Sequence, residues 1–154
     1  MGVQLRTPTD ADWPAILRCA NASLPWQAAG NELWLGNRKK FDEAKFSRRH
    51  YVAVDEGSRE IVGYGSVEGD ENPGRYRVFV VMDAKLLATV GEVLFARLWE
   101  DLQSLRADVA WVREEARDVS RLNFFQTHGF GDEVRFRTPD GLDLVTLKRS
   151  VGAA

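Results

Sequence analysis

Several side chains in this sequence could move protons or hold charge, and their positions limit what they could do. Glu68 follows the apolar run at 61–67, and Glu114 with Glu115 follows the run at 108–112. A carboxylate where a strand ends can act as a general base toward a group lying across the strand ends. The chain carries 23 acidic residues, so each of the three also has the plainer reading of a solvated or ion-paired charge. Arg113, beside Glu114, could bind an acidic group or pair with a neighbour, and pairing is the plainer reading. His50 and His128 have no second ligand at metal spacing, so no metal centre is expected. Cys19 is the only cysteine, which leaves no intrachain disulfide and fits a reducing, cytoplasmic setting.

The segment MDAKLLATVGE at 82–92 carries a different signal. Thr89 and Glu92 stand at the spacing of a capping box, in which the threonine hydroxyl accepts from the Glu92 N–H and the glutamate reaches back to the Thr89 N–H. A helix starting there would satisfy its own first donors. An anion attracted to the same helix start would compete with Glu92, with Lys85 as the one nearby cation.

The elements that must position these groups follow from periodicity. Strands are expected at 3–6, 51–54, 61–67, 75–82, 108–112, 132–137 and 142–148, from alternation or continuous apolar runs bounded by turn residues. Helices are expected at 13–21, 41–48, 90–105 and 118–125. Pro25, Gly30 and Gly36 make residues 22–40 read as a loop that carries Trp26 and Trp34. Leu94, Leu98, Leu102 and Leu105 form the stripe of the longest helix. The order β-α-α-β-β-β-α-β-α-β-β predicts one α/β domain with a mixed sheet over all 154 residues.

Composition narrows the partners. A net charge of −2, with basic residues concentrated only at 38–40 and 48–49, argues against nucleic acid. No stretch approaches the roughly 20 apolar residues of a membrane span, and the N-terminal residues show neither an apolar leader core nor a lipidation motif, so no membrane association is expected.

Three stretches together resemble the Gcn5-related N-acetyltransferase (GNAT) superfamily: IVGYG at 61–65, GEVLFARL at 91–98 and FFQTHGF at 124–130. The resemblance covers nearly the whole chain. It implies an α/β (α+β) acyl-CoA N-acyltransferase fold, with one mostly antiparallel sheet splayed between its fourth and fifth strands and flanked by helices. It also implies an enzyme that moves the acetyl group of acetyl-CoA (coenzyme A) to the amine of a small molecule or peptide. Val80, Val81 and Met82 would pair with the pantetheine arm, and Leu86, Leu87, Ala88, Thr89, Val90 and Gly91 would form the pyrophosphate turn. Glu68 or Glu114 would be the base, and Trp26 and Trp34 would lie over the acceptor cleft. Asp118 stands where the family usually has Asn, and Phe125 where it has the tyrosine that protonates the thiolate. The family turn reads Gln/Arg-x-x-Gly-x-Gly/Ala, and here Leu86 and Thr89 replace its first two fixed positions. A homodimer through the closing strands is possible. The departures keep a second reading open, a domain of this fold that binds or dimerises without catalysis.

Overall fold

The computed structural model describes residues 2–36 and 48–152. Strand β1 (Val3–Arg6) is followed by α1 (Trp13–Ser23) and α2 (Ala28–Gly36), then by β2 (Arg48–Asp55), β3 (Ile61–Gly69) and β4 (Arg75–Val81). Helix α3 (Glu92–Ser104), β5 (Val109–Glu115), α4 (Val119–Thr127), β6 (Gly131–Arg137) and β7 (Asp143–Ser150) complete the chain. The strands form a single sheet in the order β1-β2-β3-β4-β5-β7-β6. Every neighbouring pair is antiparallel except β4 with β5. The mixed, mostly antiparallel sheet flanked by helices is the architecture expected from the sequence.

The sheet buries a different core on each face. On one, the stripe Leu94, Leu98 and Leu102 of α3 packs with Phe125 of α4 against Val67, Val78, Val80 and Val145. Each of those leucines is fully buried, a contribution of about 1.5–3 kcal/mol apiece. On the other, Trp13, Ile16 and Ala20 of α1 cover Val52, Tyr64 and Val81. The glycines flanking Tyr64 explain the IVGYG pattern. A Cβ at Gly63 would come within 2.9 Å of Val90 Cγ1, and one at Gly65 within 3.0 Å of Leu98 Cδ1, so their absence lets α3 sit directly on β3. Gly129 ends α4 with φ +86°, and the Phe130 N–H then bonds the Phe125 carbonyl at 3.0 Å, a left-handed glycine cap.

The segment expected as a loop contains α2. Pro25 opens a 3₁₀ turn, Pro25–Gln27, that leads into the helix, because a fixed φ suits a first helical position. Gly30 has open space beside it and is tolerated. Asn31 then ties α2 to α1, its amide nitrogen donating to Asn21 Oδ1 at 3.1 Å and to the Leu24 carbonyl at 3.2 Å. The helix expected at 41–48 lies outside the described residues except for Arg48, which begins β2. Among the described residues, no helix is long and apolar enough to cross a membrane.

Candidate active site

The parallel pairing of β4 with β5 is brief: Arg75 with Val109, Tyr76 with Ala110 and Arg77 with Trp111. Beyond Arg77 the strands diverge, β4 staying paired with β3 as far as Val81 and β5 with β7 as far as Glu115. Strand divergence opens a notch in the sheet, and an ion pair occupies it. Arg121 of α4 donates from Nε to Glu114 at 2.7 Å and from Nη2 to the same carboxylate at 3.0 Å. The same Nη2 donates to the Val80 carbonyl at 2.8 Å. Arg121 and Glu114 are 5% and 2% exposed, which makes this a dry bidentate pair. Burial pushes the Glu114 carboxyl above its ordinary range while Arg121 draws it back. Glu114, expected as a candidate base at a strand exit, is instead inside β5 and committed to Arg121. Its neighbour Glu115 pairs with Arg117 at 2.6 Å.

The end of β4 is satisfied from the opposite side as well. The Met82 N–H donates to Ser23 Oγ at 2.8 Å, and the Ser23 hydroxyl donates to the Met82 carbonyl at 2.6 Å, both buried. Val80 and Met82, expected to offer backbone groups to a pantetheine arm, therefore bond within the protein. Val81 pairs with Tyr64 of β3.

The capping box expected at Thr89 does not form, because helical backbone begins earlier. Asp83 accepts from the Lys85 N–H at 3.2 Å and caps a 3₁₀ turn, Ala84–Leu86, which runs into a π-helical turn, Leu87–Gly91, and then α3. Thr89 lies inside this helical run, where its hydroxyl donates back to the Leu86 carbonyl at 3.2 Å, as threonines in helices do. Glu92 turns away from Thr89, with its carboxylate 2.9 Å from His128 Nε2. None of residues 84–91 has positive φ, so threonine in place of glycine is unstrained. A cavity of about 350 Å³ lies between this run and α4, lined by Ala84, Leu87, Ala88, Glu92, Ser120 and Asn123 among others. Asp118 caps α4 by accepting from the Arg121 N–H at 3.2 Å. Phe125 is fully buried and has no hydroxyl to offer.

A second cavity, of about 300 Å³, opens on the α1–α2 face of the sheet beside Tyr64, Glu68, Arg77, Phe79 and Val81. Strand alternation puts Tyr64 and Glu68 on this face, and Glu68 forms an ion pair with Arg48 at 2.8 Å across the strands. The Tyr64 hydroxyl lies 3.0 Å from His50 Nδ1. The two expected base candidates are thus separated by the sheet, Glu68 facing the α1–α2 cavity and Glu114 facing α4. Trp26 packs against the core under α1, and the side chain of Trp34 is outside the described residues. Arg113 bonds Thr146 Oγ1 at 3.4 Å and lies 5.2 Å from the Trp111 ring, so the neighbours it meets are a hydroxyl and an aromatic ring. Among the described residues no cluster could hold a metal ion.

Sequence reasoning missed Ser23, Arg77 and Arg121. For Arg121 a signal existed: it stands four residues before Phe125 on the apolar face of α4, where a charge needs a buried partner. Ser23 and Arg77 gave none, since each depends on a strand brought near by the fold.

No family model and no curated sequence matches the chain. Solved structures do. A ribosomal-protein-alanine N-acetyltransferase from Brucella melitensis is 22% identical, with a TM-score of 0.69 over 96% of this chain and 99% of that one. An N-acetyltransferase from Staphylococcus aureus is 16% identical, with a TM-score of 0.72 over 97% and 99%. The protein yncA from Salmonella typhimurium, solved with its cofactor acetyl-CoA, is 16% identical, with a TM-score of 0.73 over 100% and 96%. At these identities the likeness establishes the fold, which is that of the GNAT N-acetyltransferases.

Proposed function

We propose that this chain is an N-acetyltransferase that takes its acetyl group from acetyl-CoA and passes it to the amine of a small molecule or peptide. The observation that carries the proposal is the arrangement around the end of β4. Val81 lines the cavity on the α1–α2 face, and Ala84, three residues on, lines the cavity between α3 and α4. One short stretch of backbone therefore separates a cavity that could take an amine from one that could take a nucleotide-linked donor, beside the only parallel strand pair among the described residues.

The residues fit the cofactor unevenly. The cavity beside the helical run at 84–91 offers the positive end of a helix to phosphate, with Glu92 in its lining as a competing anion and Lys85 on the same run but outside that lining. Along β4 the Val80 carbonyl is held by Arg121 and the Met82 backbone by Ser23, so a strand-like ligand must displace these bonds. When bound, acetyl-CoA supplies an activated acyl carbon. The chain's own part is to hold the amine beside Glu68, which, unlike Glu114, lines the open cavity while paired with Arg48, and whose carboxylate takes the ammonium proton directly or through water. Phe125 supplies no proton to the departing sulfur, so that proton comes from solvent.

The Arg121 bond to Val80, together with Phe125, favours the second reading of a non-catalytic domain of the same fold. Calorimetric titration with acetyl-CoA separates the two. The enzyme reading expects saturable heat and a stabilisation of about 2.7 kcal/mol at 100 times the dissociation constant. The absence of both at millimolar acetyl-CoA would leave the non-catalytic reading standing.

A further inference from the structure

The cavity on the α1–α2 face contains a guanidinium that makes no ion-pair contact among the described residues. Arg77 Nε is buried and has no hydrogen-bond acceptor, and among the described residues Arg77 has no ion-pair partner. Its guanidinium carbon sits 4.4 Å from the centre of the Phe79 ring and 5.0 Å from that of Trp111. The natural partner would be Glu68, which faces it across β3 and β4, but the Glu68 carboxylate is engaged by Arg48 at 2.8 Å. Burial and, after it, repulsion from Arg113 lower the Arg77 pKa to about 10, and the attraction of Glu68 and Glu114 offsets this only in part. Arg77 is partly buried, and a partly desolvated cation is unfavourable unless something pairs with it. Ring faces hold the guanidinium flat and leave its N–H edge free for bidentate contact with an oxyanion.

We propose that Arg77 anchors a carboxylate on the acceptor, so that the substrate class is amino acids with apolar side chains rather than simple amines or polyamines. Cross-strand neighbours on one face of an antiparallel pair stand close together. Glu68 and Arg77 therefore present a base and a carboxylate anchor side by side, as an α-amino acid presents its amine and carboxylate. Ala20, Leu24, Phe79 and Val81 supply the apolar wall for the side chain. The name of the reaction rests on the acetyltransfer reading, whereas the anchor is tested without acetyl-CoA.

The test is binding to the cofactor-free protein, by calorimetry, of L-leucine, L-methionine and L-phenylalanine, each beside the amine that lacks its carboxylate. The proposal expects at least one amino acid to bind roughly tenfold or more tightly than its decarboxylated counterpart. It also expects Arg77→Gln to erase that preference and Arg77→Lys to keep part of it. Thermal melts of Arg77→Met supply an independent readout. Removing a part-buried cation with no ion-pair partner should leave the melting temperature unchanged or higher, whereas loss of an arginine present only for packing would lower it. Equal binding of amino acids and amines, no binding of any amino acid, or a preference that survives Arg77→Gln would each overturn the anchor. Amino-acid binding without acetyl-CoA binding would retain the anchor and reject the acetyltransferase.

Discussion

Arg121→Ala is the substitution that most directly probes the notch between β4 and β5. It removes two charge-assisted bonds to Glu114 and one to the Val80 carbonyl, and leaves a carboxylate that is 2% exposed with no partner at its former distance. Breaking one side of a buried pair costs about 3–5 kcal/mol. For a chain of this length that is roughly 6–20 °C in melting temperature. Replacing both members, Arg121→Met with Glu114→Leu, removes the stranded charge and should cost no more than about 2 kcal/mol. The pH dependence separates charge from packing. Burial already raises the Glu114 pKa above its ordinary value of about 4.3, and loss of Arg121 raises it further. A carboxyl with a raised folded pKa carries no penalty below its ordinary value and a growing one as pH rises through the folded value. The deficit of Arg121→Ala should therefore be largest near pH 8 and shrink toward about pH 5, measured by urea melts against wild type. Single and double variants equally unstable at every pH would refute this reasoning.

Other outcomes follow from particular contacts. Ser23→Ala strips partners from the buried N–H and carbonyl of Met82 and should cost about 1–3 kcal/mol in denaturant melts. Asp12, whose pKa is lowered to about 2 by its bonds to Arg6, has a folded pKa below its unfolded one. It stabilises the fold above its ordinary value near 3.9 and loses that stabilisation as pH falls through about 2. Asp12→Asn should then lose about 1 kcal/mol at neutral pH, screened because the Arg6 side chain is 44% exposed, and nothing at the acid end. Glu92→Ala gives up only the half-exposed contact with His128, so stability should fall by less than about 1 kcal/mol. Acetyl-CoA should bind more tightly by calorimetry, and an unchanged affinity would mean that Glu92 does not contest the phosphate position.

The repeating features of this chain were legible in its sequence. The α3 stripe, the strand alternation and the Gly129 cap are local patterns, and each stands where its residues put it. The start of α3 misled because capping geometry depends on where helical backbone begins. Asp83, not Thr89, sets that point, and a box-like spacing inside a helix has no orphan donors to satisfy. Helix α2 was hidden by Pro25 and Gly30, whose helix-breaking tendency is overridden by ties from Asn31 to α1. The candidate site was legible on one side only. Glu68 could be placed at a strand end from its sequence position, but the partner of Glu114 lies on another element seven residues on, and the isolation of Arg77 comes from Glu68 choosing Arg48 instead. Such choices between partners are made by the sheet register, which no single strand encodes.

The most direct test of the account is release of coenzyme A thiol from acetyl-CoA in the presence of apolar L-amino acids. The account predicts thiol release that requires the amino acid, an acetylated amine as product, and a large loss of turnover in Glu68→Gln while acetyl-CoA binding persists. Acetyl-CoA bound by the wild-type protein with no amine-dependent release, or release unaffected by Glu68→Gln, would contradict it.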